Sequence, residues 1–490
     1  MTGQSETEDD RLLEVLRERQ LYRSRYWTRN DPLLSERLLW RAQTFRHLVH
    51  LLPGQTVLEL GHDPAFRTRL AEVARGRNPI VSVSFDGTFP AANSDGSVLG
   101  GAEFLRQASL GPIADCAVGI DLLDERNAQH LLAAVLRALR PGGQLILFES
   151  NPWNPWLRLR RAAGIAAGDS RRLFSRSDLY RICAEAGFTD VFAVFNDFVY
   201  GPAARVARSA LESLSVVAEN VPLLNRFAGG IIIHARKAGH ADRPRVSLAE
   251  HPGLINAVSV VVPCHNEESN IAALVDALRT YYGPYIHEII LVDDNSADGT
   301  WREIGGLAAA DSRIVPVRRS PPNGVGRALK EGYARSTGRF VLSLDADFQH
   351  LLPELQDLFA AAEGGADVVI GSRFSRHSVL LNYPWPKIVA NRGFHMLAGI
   401  LFRRRFRDLT NNLKIFRREA LDGMDLHSPG FSVNAETGLI PLLQGRAIRE
   451  VPISWINRTP GMGVSSFRLP KVMPGYGAVL WRLWWKGSGR

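Results

Sequence analysis

VVVPCHNEESN (Val260–Asn270), ILVDDNSADGT (Ile290–Thr300) and VLSLDADFQH (Val341–His350) repeat one design: a short apolar run stops at a cluster of acids, amides and small residues. Continuous apolar runs of this length read as strands buried on both faces, the pattern of a parallel sheet. The polar residues then fall at carboxyl ends of strands, where open α/β sheets bind their ligands. In the first stretch Pro263 breaks the strand and the following residues open a helix. In the second, Asp293 and Asp294 end the strand, with Ser296, Asp298 and Gly299 supplying the turn. In the third, Asp345 and Asp347 straddle Ala346. Two converging carboxylates suit a hard cation, Mg²⁺ or Mn²⁺, which takes one or two carboxylates together with substrate phosphates. Such an ion neutralises the charge that develops on a departing diphosphate. A lone Asp-x-Asp is commonly a solvated turn; three acid-rich strand ends in series carry the reading.

Working outward, strands are expected at Val258–Val262, Glu288–Val292, Arg313–Val317, Phe340–Leu344 and Asp367–Ile370, inside a domain spanning 257–470. A second alternation precedes it over 51–238, with strands at Thr56–Leu60, Ile80–Ser84, Cys116–Ile120, Gln144–Glu149 and Ile231–Ala235 and a helix over Ala128–Leu139. The fold class is therefore α/β, with two doubly wound domains. Residues 1–50 read as a helical lead-in, 239–256 as a polar linker, and 471–490 as an amphipathic, Trp-rich tail.

A chain of 490 residues exceeds one ordinary core. Its 45% hydrophobic and 22% charged content is that of a folded globular protein. The net charge of +9 points to an anionic partner: nucleic acid, a phosphorylated substrate or an acidic membrane face. No segment forms a recognised nucleic-acid module, so nucleic acid is set aside. Cys116, Cys183 and Cys264 are scattered, without metal-ligand spacing or a disulfide framework, and fit a reducing cytoplasm. The first residues lack the apolar core of a signal peptide, and no apolar run reaches the ~20 residues of a spanning helix. A cytoplasmic protein, peripheral at the inner membrane face, is expected.

The C-terminal domain resembles family-2 glycosyltransferases of the GT-A fold, and within them the dolichyl- or polyprenyl-phosphate mannosyltransferase-like branch. Asp345, Asp347 and Gln349 match that family's D-x-D-x-Q metal element. GSR at Gly371–Arg373 matches its phosphate-directed arginine, and DLTNNLKIFRREAL at Asp408–Leu421 a further signature segment. The resemblance implies a nucleotide-sugar pocket lined by Pro263, His265, Glu267, Val292, Asp294, Ala346, Arg373, Lys414 and Arg458. It implies a UDP- or GDP-sugar donor and an inverting displacement onto polyprenyl phosphate or a lipid-linked glycan. A lipid phosphate is already a nucleophile; a sugar hydroxyl needs a base, for which Glu436 in FSVNAETGL is the candidate. His265 stands where an aromatic is common, and Asn411–Asn412 replace small residues.

LFRRRFRDLTNNLKIFRR at Leu401–Arg418 holds seven Arg or Lys against one Asp, after an apolar stretch containing Phe394, Met396, Leu397 and Ile400. With Trp481, Trp484 and Trp485 beside Arg482 and Lys486, this composition suits an anionic membrane interface.

The N-terminal domain resembles class I S-adenosylmethionine-dependent methyltransferases. TVLELG (Thr56–Gly61), DCAVGIDLLDER (Asp115–Arg126) and ALRPGGQLILFES (Ala138–Ser150) carry the likeness. It implies cofactor contacts at Glu59, Gly61 and Asp86, with Ser84 the alternative to Asp86. After Gly61, however, His62-Asp63-Pro64-Ala65-Phe66 replaces the family's further glycines, which let the backbone approach the cofactor. Two readings stay open: S-adenosylmethionine bound by a variant loop for methyl transfer, or a non-catalytic scaffold.

Overall fold

The computed structural model describes all residues except 1–6, 31–33, 88–97, 164–171, 200–214, 216–217, 241–244, 348–351, 376–377, 379, 382, 405, 457–468 and 489–490. Gln349, Arg458 and the Trp-tail's last two residues lie outside the described residues. Two compact units, Met1–Pro244 and Arg245–Arg490, divide the chain.

The first unit holds β1 (Val57–Leu60), β2 (Ile80–Ser84), β3 (Val98–Gly100), β4 (Ala114–Ile120), β5 (Leu139–Ser150), β6 (Phe188–Asn196) and β7 (Gly230–Lys237). They form one sheet in the order β3-β2-β1-β4-β5-β7-β6. All pairs are parallel except those of β7, which runs antiparallel to both β5 and β6. β1 is buried at every position and β4 at all but Asp115, which is why these strands appear as mostly apolar runs. The N-terminal helix Glu8–Asn30 is amphipathic, and its Leu12 and Leu16 join the same core as Leu58, Leu60 and Phe85.

The second unit contains β8 (Val258–Cys264), β9 (Ile286–Asp293), β10 (Ile314–Arg318), β11 (Phe340–Ser343), β12 (Val368–Ser372), β13 (Leu380–Leu381), β14 (Lys414–Arg417), β15 (Ile448–Pro452) and β16 (Trp455–Ile456). Seven form a sheet ordered β10-β9-β8-β11-β14-β12-β15, and β13 pairs with β16. β8 to β11 are mutually parallel, whereas β14 enters antiparallel between β11 and β12. The doubly wound alternation therefore ends at β11, because β14 returns in the opposite sense.

Close layer packing fixes the helix Val325–Arg335 on this sheet. A Cβ at Gly332 would stand 2.3 Å from Val261 Cγ1 and 3.2 Å from Val292 Cγ2, so only glycine allows the approach. The loops after β8 and β9 turn on Asn266 and Asn295, both at φ 57°, the left-handed region asparagine tolerates best after glycine. Asn266 N donates to Ser296 Oγ at 3.0 Å and Asn266 Oδ1 accepts from Ala297 N at 2.9 Å, lacing the two loops together.

Candidate active site

A cavity of about 630 Å³ opens at the carboxyl ends of β8, β9 and β11. Pro263, His265, Glu267, Asp294, Asp345, Ala346 and Asp347 line one end of it. The three acid-rich stretches are thus brought together, as strand ends of one parallel sheet must be.

Their side chains are held differently. Asp294 is 5% exposed, accepts from Gly324 N at 2.6 Å and is ion-paired with Arg319. His265 Nδ1 lies 3.0 Å from the Asp294 carbonyl oxygen. Glu267 accepts from Asn270 Nδ2 at 2.6 Å, while its own N–H donates to Thr300 Oγ1 at 2.8 Å. Asp345 accepts from Asn412 Nδ2 at 2.7 Å. Among the described residues no group of three or more His, Cys, Asp or Glu is arranged to hold a metal. Two carboxylate-bearing residues at a cavity wall remain the right donor set for Mg²⁺ or Mn²⁺, which completes its shell with waters and substrate phosphates.

Arg373 also lines the cavity, but its charge is already answered. Nε and one terminal nitrogen grip Asp408 at 2.7 and 2.9 Å, the bidentate geometry that suits a guanidinium, and the other terminal nitrogen donates to Tyr383 Oη at 3.3 Å. Burial alone would raise the Asp408 carboxyl; Arg373 beside it more than offsets this and holds it well below the usual carboxylate range. The guanidinium carbon also sits 5.4 Å from the Trp455 ring. Arg373 is therefore a wall element locked by Asp408 in this structure.

Three residues that the family motifs point to lie away from the cavity wall. Glu436 is fully buried and absent from the cavity wall; it accepts from the His427 and Ser428 backbone N–H groups at 3.0–3.1 Å and pairs with Arg482. Lys414, 1% exposed on β14, spends its ammonium on Asn434 O and Thr437 Oγ1, both at 2.8 Å, and does not line the cavity. Val292 is wholly enclosed inside β9. All three lie in motif segments, but strand and helix periodicity turns them to the core.

In the N-terminal unit, Glu59, Gly61 and Asp86 are engaged by the chain itself. Glu59 accepts from Asp63 N at 3.1 Å and from Ser82 Oγ, Asp86 from Ser84 Oγ at 2.7 Å, and the Gly61 carbonyl from Arg23.

The far end of the cavity was not anticipated from the motifs. Two helices, Trp385–Phe402 and Leu469–Ser488, contribute Asn391, Phe394 and Leu397 from one and Val472, Tyr476 and Leu480 from the other. The signal was present: Leu469, Val472, Met473, Tyr476, Gly477 and Leu480 recur at helical spacing and all face the cavity. Outward, Val389, Met396 and Ile400 on the first helix and Trp481 and Trp485 on the second are exposed. No helix among the described residues is long and apolar enough to cross a membrane.

The model of glycosyl transferase family 2 matches residues 259–424. The chain is 30% identical over 214 residues to polyprenol monophosphomannose synthase of Mycolicibacterium smegmatis, covering 42% of this chain and 80% of that one. It is 28% identical over 208 residues to dolichol-phosphate mannosyltransferase of Pyrococcus furiosus, covering 42% of this chain and 58% of the relative. A crystal structure of glucosyl-3-phosphoglycerate synthase from Mycobacterium tuberculosis with Mn²⁺ and UDP-glucose aligns at 22% identity and a TM-score of 0.36, over 49% of this chain and 86% of the other.

Proposed function

The chain belongs to glycosyl transferase family 2 and is a glycosyltransferase, and on that premise we propose that it moves a sugar from a UDP- or GDP-sugar to polyprenyl phosphate at an anionic membrane face. One observation carries the acceptor. A single cavity joins the acid-lined ends of β8, β9 and β11 to a wall built by two helices with exposed apolar outer faces. A nucleotide sugar and an isoprenoid phosphate need those two environments side by side. The names of the Mycolicibacterium and Pyrococcus relatives favour the same acceptor class.

Asp345 and Asp347 would hold Mg²⁺ or Mn²⁺, which supplies charge neutralisation to the leaving diphosphate when bound. The protein's own part is positioning. Asn412 orients Asp345, while Asp294, fixed by Gly324 N and Arg319, marks the nucleoside end. A phosphate oxygen of the acceptor attacks the anomeric carbon from the face opposite the diphosphate as the glycosidic bond to that diphosphate breaks. No proton need be removed, which accords with the absence of Glu436 from the cavity wall. Asp347→Ala should abolish nucleotide-sugar turnover while leaving the melting temperature near that of the wild type; unchanged turnover would refute the site. Thermal stabilisation across UDP- and GDP-sugars, with and without Mn²⁺, would identify the donor by mass action.

For the N-terminal unit, the order β3-β2-β1-β4-β5-β7-β6 with β7 antiparallel supports a methyltransferase-like fold. The engaged state of Glu59, Gly61 and Asp86 favours the scaffold reading over methyl transfer.

A further inference from the structure

In the N-terminal unit the topological switch point lies between β1 and β4: the chain passes from β1 outward to β2 and β3, then returns to β4 on the other side. Sheets of this kind bind ligands in the crevice outside those strand ends. Here the crevice has an occupant supplied by the chain.

The N-terminal helix Glu8–Asn30 lays three polar side chains across it, and all are buried: Arg19 at 4%, Gln20 at 1% and Arg23 at 2% exposure. The Arg23 guanidinium donates to the Gly61 carbonyl, just beyond β1, and to the Ile120 carbonyl, the last of β4, at 3.1 Å. It therefore bridges the switch point itself. Gln20 Oε1 accepts from Phe85 N at 2.8 Å, just beyond β2, and Gln20 Nε2 donates to the His62 carbonyl at 3.3 Å. Arg19 donates to the Asp121 carbonyl at 3.3 Å. Gly61 has φ +70°, and a Cβ there would stand 2.9 Å from Leu122 Cδ2 and 3.1 Å from an Arg23 nitrogen, so both the leucine and the guanidinium pack into the space the glycine leaves.

Burial disfavours the Arg23 charge and pulls its pKa down, a penalty that nearby Asp63, Glu59, Asp121 and Asp86 offset only in part; the direct partners of the guanidinium are backbone carbonyls. We propose that Arg23 is the resident ligand of a carbonyl-lined crevice at the β1/β4 switch point, a built-in plug that excludes an adenosyl cofactor and ties the N-terminal helix to the sheet. This holds whether or not the unit descends from a methyltransferase fold.

The test uses the full chain. In Arg23→Ala the peptides spanning Leu58–His62 and Val118–Leu122 should exchange amide hydrogen at least about tenfold faster, the scale set by losing charge-assisted bonds to backbone. Millimolar methylguanidinium chloride should restore that protection in Arg23→Ala and leave the wild type unchanged, with sodium chloride restoring nothing. Calorimetry of the wild type with S-adenosylmethionine should show no binding at millimolar ligand. Wild-type exchange rates in Arg23→Ala, equal effects of the two salts, or wild-type binding of S-adenosylmethionine would each overturn the plug. Should Arg23→Ala not fold, Arg23→Lys carries the test: an ammonium cannot span both carbonyls, so the same peptides lose protection, and wild-type protection there would overturn it. None of these outcomes bears on glycosyl transfer in the second unit.

Discussion

Asn412 Nδ2 donates to Asp345 Oδ1 at 2.7 Å across 67 residues of sequence, and the contact follows from strand register. β11 and β14 pair antiparallel with Ser343 opposite Lys414, so two positions further on Asn412 comes opposite Asp345. Ser343 Oγ, donating to the Asn412 carbonyl at 2.7 Å, fixes the backbone there. The amide orients a carboxylate proposed to hold metal, and removing such a support typically weakens metal binding about 10–100-fold. Asn412→Ala should therefore raise the Mn²⁺ concentration for half-maximal activity by roughly that factor while kcat at saturating Mn²⁺ changes far less. Calorimetric Mn²⁺ binding should shift in parallel; an unchanged Mn²⁺ affinity would remove Asn412 from this role.

Glu436 anchors the helix Leu469–Ser488 through Arg482, and that helix walls the cavity. Removing one partner of a buried pair costs ~3–5 kcal/mol, and because the Arg482 side chain is 27% exposed the lower end applies. Glu436→Ala should thus lower unfolding free energy by about 3 kcal/mol in urea and raise KM for the proposed polyprenyl-phosphate acceptor. A general base would behave differently. Glu436→Gln would then collapse kcat with stability intact, and seeing that would return Glu436 to the chemistry.

Lys414 provides a pH test. Burial pushes its ammonium down from 10.5 to about 7. Between those values the folded lysine has lost its proton while the unfolded one retains it. The unfolded state then binds more protons, so stability rises with pH across the window from about 7 to about 10.5. Urea midpoints of the wild type should climb from pH 7 to pH 10 relative to Lys414→Met, which lacks the titrating group. Parallel pH profiles in the two proteins would show that Lys414 remains charged in the fold.

The parallel strands of both units were legible because burial on both faces writes them as mostly apolar runs. Ile80–Ser84 and Phe340–Ser343 lie where the pattern put them. The short edge strand Val98–Gly100 and the partly exposed Phe188–Asn196 carry no such run and were not anticipated. At the site, Asp345 and Asp347 could be placed at the cavity because strand ends converge by topology. Glu436 and Lys414 could not be excluded from it, because motif spacing does not say which way a side chain turns. The contacts that decide their roles, Arg482 to Glu436 and Lys414 to Asn434, join residues 46 and 20 positions apart. Arg23 was hidden for the same reason, 38 residues from Gly61 on a helix with only ordinary amphipathic character.

The proposed membrane attachment can be tested apart from catalysis because the outward residues are not cavity residues. Met396 and Ile400 are 68% and 67% exposed, Trp485 is 66% exposed, and none of the three lines the cavity. On the same helix Ile388, His395 and Ala398 turn inward, and Met396 and Ile400 face solvent. Exposed Arg403 and Arg404 follow at the helix end, supplying cations where anionic headgroups would lie. Each apolar side chain moved from water into the interface contributes up to ~1.5–3 kcal/mol. Ile400→Glu combined with Trp485→Glu should therefore weaken co-sedimentation with phosphatidylglycerol vesicles by roughly tenfold or more. Turnover of a short-chain, water-soluble polyprenyl phosphate should stay near the wild-type rate, since the cavity is untouched. Added salt should weaken wild-type vesicle binding only in part, because screening reaches the arginines and not the apolar contacts. Undiminished vesicle binding by the double variant would mean that this face does not meet the membrane.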